Sequence, residues 1–180
     1  LGPLTEDEKR FYTWTLQSHI DLAKAVWLDY CECKMIDTIA REPLWRHLIN
    51  YRCGTGHSVS FVGNVHEGPH ALNSRNTTRM RPGMVVTDEP GVYETDLVGI
   101  RIENELVCVH KADNQYGTFL GFEPLMFVPI ATSPILPGVL DKDEIAWLND
   151  YHRQVFAKLA PHLNDEERSW LAEKCAAIGC

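Results

Sequence analysis

Apolar residues recur every three or four positions near the start of the chain, at Tyr12, Leu16, Ile20, Ala23 and Trp27. This spacing predicts a helix from residue 5 to about residue 27. Thr5 and Glu8 have the form of a capping box at its start. A shorter helix is expected over residues 35–41, with Ile36, Ile39 and Ala40 facing inward. Pro43 is expected to interrupt it, and a further turn or two would reach Leu48. A short glycine-punctuated stretch follows, and the pattern changes at Met80. Residues 84–86, 99–109 and 118–130 are rich in β-branched and aromatic side chains and bounded by Gly, Pro and Asp, which predicts an antiparallel sheet. Ile145, Leu148, Tyr151, Val155 and Leu159 then form one stripe of a helix over residues 141–163, and a last helix is expected from Asp165 to about Ile178. Helices, sheet, helices is an α+β layout, with no internal repeat and no low-complexity linker.

Composition narrows the function classes. The chain has 180 residues, 44% hydrophobic and 23% charged, enough for a sizeable core and unlike a disordered segment. Twenty-five acids against seventeen bases give a net charge of −8, with no basic run to offset it, which argues against nucleic-acid or anionic-membrane binding. No apolar run approaches the ~20 residues of a membrane span, and the opening LGPLTEDEKR has neither part of a signal peptide. Six scattered cysteines lack a framework rhythm, and Cys31 and Cys33 miss the redox and zinc-ribbon spacings by one residue. Reduced thiols in a cytoplasmic protein are therefore expected.

Three stretches can carry chemistry. In RCGTGHSVSFVGNVHEGP, residues 52–69, His57 follows a Gly-Thr-Gly that lets the backbone turn sharply, and His66 lies nine residues on. A lone histidine is more often structural than a ligand. In VVTDEPGVYE a strand ends near Glu89 before a Pro-Gly turn, where a side chain projects from a rigid element; a solvated acidic turn is the plainer alternative. In GIRIEN, strand alternation puts Ile100 and Ile102 on one face and Arg101 and Glu103 on the other. That pair is either an ordinary exposed face or a carboxylate whose charge needs a partner. One imidazole and two carboxylates suit Mn, Co, Fe or Zn in a hydrolytic site better than a structural zinc. Ser58 and Ser60 lack a nucleophile elbow, and the glycines lack a phosphate loop's Lys-Ser/Thr. Glu123, between apolar residues in GFEP, is expected to be buried and paired, without a catalytic role.

Taken in order, GTGH, NVHEGP, TDEPG and GIRIEN resemble the metal-dependent Xaa-Pro aminopeptidases (aminopeptidase P) of the pita-bread superfamily, which includes methionine aminopeptidase and prolidase. The resemblance extends over SHIDLA, AREPLW, FEPLMFVPI and the tail with IAWLNDYH and SWL. It implies an incomplete pita-bread fold, a curved and mostly antiparallel sheet flanked by helices. Residues 1–140 would be the C-terminal part of the catalytic domain, without its first metal-ligand hairpin, and residues 141–180 a helical extension packed on the same domain. It implies His57, Glu89 and Glu103 as metal ligands, with His57 and His66 on the substrate side. His66 would stabilise the tetrahedral intermediate, Glu89 would act on the metal-bound water, and Arg101 would support the network. Two divalent ions would be held, manganese first, with cobalt and zinc as alternatives.

The implied substrate is a peptide with proline in second position, from which the N-terminal residue is removed. A non-catalytic binding module on the same fold and a prolidase or creatinase-like hydrolase are the alternatives. Two departures stand out. Ser58-Val59-Ser60 replaces the family's Gly-Val-Gly and bears on substrate preference. The family's two aspartate ligands would precede Leu1, since Asp7 and Asp21 fall on a helix, and the family's upstream histidine would precede it too. The sheet face meeting those strands is expected to be apolar and covered by a second copy of the chain or by the preceding part of the protein.

Overall fold

The computed structural model describes Gly2 to Gly179 and divides into two compact units. One unit runs from Trp14 to Met126; the other joins the residues up to Thr13 with those from Phe127 onward.

In the larger unit the first helix, α1 (Glu6–Ala23), contributes its second half. Its expected capping box forms, with Thr5 N–H donating to Glu8 Oε2 (2.7 Å) and Glu8 N–H to Thr5 Oγ1 (3.3 Å). Leu16 and Ile20 are fully buried. The helix ends at Ala23, four residues before the expected boundary, and Trp27 lies in a strand, β1 (Val26–Leu28), paired with Leu120. A four-residue step from Ala23 continues a helical stripe, yet the same spacing also fits the next buried strand position, and sheet pairing decides between them. Helix α2 (Cys33–Trp45) begins earlier than expected and runs through Pro43. Proline in the last turn forfeits one N–H, which the buried packing of Pro43 and Leu44 offsets.

Four antiparallel strands form the main sheet, in the order β1, β8 (Gly117–Pro124), β7 (Asn104–Asn114), β4 (Val85–Asp88). Two ribbons accompany it: β2 (Gly56–His57) with β3 (Ala71–Leu72), and β5 (Gly91–Glu94) with β6 (Val98–Arg101). The single strand expected over residues 99–109 is therefore two strands. Arg101 ends one, paired with Gly91, and Asn104 opens the next, paired with Asp88. Alternation survives the change of partner, since Ile100 and Ile102 are buried while Arg101 and Glu103 are exposed. Strand β8 stops at Pro124, short of the expected residue 130: Pro124 and Pro129 have no N–H, and the N–H groups of Met126, Val128 and Ile130 donate to the side chains of Asn104, Tyr151 and His152 instead of to a strand. Glu123 is exposed, with Lys111 Nζ 3.9 Å away, which corrects its expected burial. Cys31, Cys33, Cys53, Cys108 and Cys175 are free thiols.

The smaller unit is built on α3 (Lys142–Leu159), a 3-10 turn (Ala160–His162) and α4 (Asp165–Lys174). Asp141 and Asn164 start the two α-helices with complete capping boxes. Tyr151, Val155 and Leu171 form its core, with Trp147, Phe127 and Ile130 against them. Tyr151 O–H donates to Val128 O (3.0 Å), and Ile130 N–H donates to Nε2 of the buried His152 (3.0 Å). These contacts hold the irregular segment after Met126 to α3. Among the described residues, no helix is long and apolar enough to cross a membrane.

Candidate active site

His57 reaches its position because β2 lies against β4 with almost no space between them. A Cβ on Gly56 would stand 1.7 Å from the Thr87 carbonyl oxygen, so only glycine permits this approach. In return the His57 N–H donates to Thr87 Oγ1 (2.9 Å), and the Thr87 hydroxyl donates to Glu89 Oε1 (2.9 Å). Glu89 follows directly on β4, as its place before Pro90-Gly91 suggested, and its own N–H donates to Thr55 O (2.8 Å). Histidine and glutamate thus hang from one buried threonine hydroxyl.

The side chains meet above it. His57 Nε2 lies 3.0 Å from Glu89 Oε1, and Arg101 Nη1 lies 3.3 Å from Glu89 Oε2. Arg101 Nε donates to Tyr93 Oη (2.7 Å) across the β5–β6 ribbon. The ring of His66 stands edge-on to that of His57, with centroids 3.9 Å apart. His57, His66, Glu89 and Arg101 line one cleft of about 370 Å³, together with Gly54 and Gly56. Four of the five residues singled out in the sequence are therefore brought together.

Glu103 does not line that cleft; it sits at the junction between β6 and β7. Protein packed around its carboxyl pushes its pKa above the usual range, and the nearby Glu89 charge adds to this, while Arg101 and His57 pull it down. A carboxyl whose pKa is raised in part by a neighbouring negative charge gains from a cation held beside it. Beneath them, Asp88 is fully buried and its pKa is raised by that burial, with His19 opposing the shift; His19 Nδ1 lies 3.1 Å from Asp88 Oδ2.

Whether this donor set fits a metal turns on His57. Its Nδ1 lies 3.1 Å from Ser58 O, and a carbonyl oxygen only accepts, so Nδ1 carries the hydrogen. On a neutral ring Nε2 then presents a lone pair to a carboxylate oxygen 3.0 Å away. Two lone pairs face each other stably only across a proton or a metal cation. By type, one imidazole and two carboxylates fit a hard divalent ion. By number they form part of a coordination sphere: among the described residues, no three His, Cys, Asp or Glu side chains converge at metal-binding distance.

Sequence reasoning missed Thr87, Tyr93 and the His19–Asp88 pair. Thr87 carried a local signal, since it lies two residues from Glu89 on one strand and so shares its face. Tyr93 and His19 carried none, because Tyr93 meets Arg101 only through the pairing of β5 with β6, and Asp88 is remote from His19 in the chain.

The chain matches the profile of metallopeptidase family M24 over residues 1–110 and that of the C-terminal region of peptidase_M24 over residues 118–178. It is 39% identical over 184 residues to aminopeptidase P1 of Lotus japonicus, covering 99% of this chain and 28% of that protein. With aminopeptidase P2 of Arabidopsis thaliana it shares 43% identity over 171 residues, 91% of this chain and 24% of the other. Its structure superposes with a TM-score of 0.91, at 37% identity, on the X-prolyl aminopeptidase of Caenorhabditis elegans, described as a cytosolic enzyme with a di-nuclear active site. That match covers 98% of this chain and 30% of the worm enzyme, so the chain spans less than a third of the length of the relatives it matches. The helices, the antiparallel sheets and the superposition agree on the pita-bread fold. A profile match over more than half of its residues, with His57 and Glu89 together in one cleft, leads to one assignment: the chain belongs to metallopeptidase family M24.

Proposed function

We propose that this chain is part of a dinuclear-metal aminopeptidase that removes the N-terminal residue from peptides beginning Xaa-Pro. The observation that carries the proposal is the approach of His57 Nε2 to Glu89 Oε1 with Nδ1 already committed to Ser58. Relatives bearing the aminopeptidase P name support the substrate class. In this reading His57, Glu89 and Glu103 contribute ligands to two divalent ions, manganese in the first instance. Bound there, such ions lower the pKa of a water and polarise a peptide carbonyl.

The chain's own residues do the rest. The Ser58 carbonyl fixes the His57 tautomer so that Nε2 faces inward. Thr87 holds Oε1 of Glu89 and Arg101 holds Oε2, which fixes the carboxylate beside His57, where it would take up and pass on a proton. In this reading His66, exposed with its ring edge-on to that of His57, meets the substrate carbonyl. The Xaa-Pro bond is a tertiary amide without N–H, a poor substrate for general peptidases and hence the reason for a dedicated enzyme. A cytoplasmic setting accords with the composition and with the worm relative's description.

Substitution of Glu103 by alanine in the full-length protein tests the reading. Metal-dependent release of the first residue from an Xaa-Pro tripeptide should be abolished, and near-normal turnover would refute the role of Glu103 as a metal ligand. Cleavage confined to Xaa-Pro dipeptides would move the assignment to a prolidase.

A further inference from the structure

A second ionic cluster lies buried on α2, and neither the metal ligands nor the substrate side uses it. Arg41 is 7% exposed and Asp37 1%, and Arg41 Nε lies 2.7 Å from Asp37 Oδ2. A buried ion pair seldom stabilises more than an apolar pair of the same volume, so its presence calls for a specific use. Here Arg41 spends its remaining donors on one short loop. Nη1 donates to Tyr51 O (2.8 Å) and Asn50 Oδ1 (3.2 Å), Nη2 donates to Cys53 O (2.9 Å), and the guanidinium lies 4.2 Å from the Tyr51 ring centroid.

The other oxygen of Asp37 is engaged as well. Thr55 donates its hydroxyl to Asp37 Oδ1. With that single proton committed, the Tyr51 phenol, 2.5 Å from Thr55 Oγ1, is the donor of their shared bond. Burial pushes the pKa of Tyr51 well up, which keeps that proton in place. Thr55 is therefore fixed through its hydroxyl, through its N–H, which donates to Leu72 O (2.8 Å), and through its carbonyl, which accepts the Glu89 N–H (2.8 Å). Two residues later comes His57.

We infer that Asp37, Arg41, Tyr51 and Thr55 are positioning residues for the candidate centre: through the Thr55 carbonyl they set the register in which Glu89 meets His57. The inference rests on the M24 metallopeptidase reading of that centre. None of the four is a catalytic residue, since none touches the reacting atoms. Their effect passes from α2 through the buried bond between Asp37 and the Thr55 hydroxyl, and on through the Thr55 carbonyl to Glu89 at the end of β4.

Thr55→Val tests it, because valine keeps the shape and removes the hydroxyl, with Thr55→Ser as the conservative rescue and Ile36→Val as a control for mild loss of core packing. In the full-length protein, manganese affinity would be measured by calorimetry, Xaa-Pro cleavage by steady-state kinetics, and folding by thermal melting. Thr55→Val should lose about 10- to 100-fold in manganese affinity or kcat, with KM within about twofold of wild type. Thr55→Ser should recover most of that loss, and Ile36→Val should keep full affinity. Wild-type affinity and kcat in Thr55→Val would overturn the inference, as would an equal loss in Ile36→Val. Should wild type neither bind manganese nor cleave Xaa-Pro, the functional reading falls and hydrogen exchange decides the rest. Faster exchange of the Glu89 amide in Thr55→Val would then sustain the positioning role, and unchanged exchange would overturn it.

Discussion

Gly56→Ala is the sharpest single perturbation of the site. The added Cβ would lie 1.7 Å from the Thr87 carbonyl oxygen and 2.7 Å from its carbon, and both atoms are backbone. Contacts under 3.0 Å are essentially never tolerated, so β2 and β4 must part by at least about 1.3 Å. No rotamer change relieves this. That separation stretches the His57 N–H bond to Thr87 Oγ1 (2.9 Å) and the Glu89 N–H bond to Thr55 O (2.8 Å) beyond useful length. Each lost bond costs about 1 kcal/mol, and forcing the backbones apart about 1–3 kcal/mol, so a loss of about 4 kcal/mol is expected. His57 and Glu89 would also separate by roughly 1 Å, a misplacement that costs about 100-fold in function. Gly54→Ala, two residues away, meets the Leu72 carbonyl oxygen at 3.4 Å, an ordinary contact, and should stay within about 0.5 kcal/mol of wild type. Urea unfolding of the three proteins, followed by manganese titration, measures both effects. A Gly56→Ala variant with wild-type midpoint and wild-type affinity would refute the close-approach argument.

Two further outcomes follow from buried ionisable groups. Burial holds His152 below its ordinary pKa of 6.5, so as pH falls through and below that value the unfolded chain takes up a proton that the native chain does not. The stability this group contributes is complete above pH 6.5 and is lost on acidification toward its lower folded pKa; His152→Gln should flatten that part of the profile, and identical slopes in urea melts from pH 7.5 to 5 would contradict it. His19→Leu leaves the Asp88 carboxylate buried without its imidazole, which should cost about 3 kcal/mol in unfolding free energy. His19→Leu together with Asp88→Leu should recover part of that cost in the same melts, and an additive double variant would show that the two groups do not act as a pair.

Much of this protein was legible along the chain. Helical periodicity placed α1, α2 and α3, because each buries one stripe and a repeat of three to four residues reports that stripe directly; α4 buries Leu171 alone and shows no such stripe. Alternation in GIRIEN assigned Ile100 and Ile102 to the interior and Arg101 and Glu103 to the outside, and the Pro-Gly after Glu89 placed that carboxylate at a strand end. The candidate residues were accessible for the same reason: polar side chains at fixed offsets from glycine, proline and β-branched runs have local causes. Strand partners have no local cause. Nothing within residues 99–109 distinguishes one strand from two, since the break follows from Arg101 pairing with Gly91 and Asn104 with Asp88. Trp27 kept the helical spacing and still became a strand residue, because the hydrogen bonds that claim it come from Leu120, far along the chain. Likewise, burial of Asp37 and Arg41 appears only once the loop they hold, residues 50–55, has folded back over α2. Sequence determined which residues have the chemistry of a metal site and which segments carry them. Tertiary structure decided which of them meet, because a contact between β2 and β4 depends on a glycine thirty-one residues from its partner threonine and on sheet pairing that no local pattern encodes.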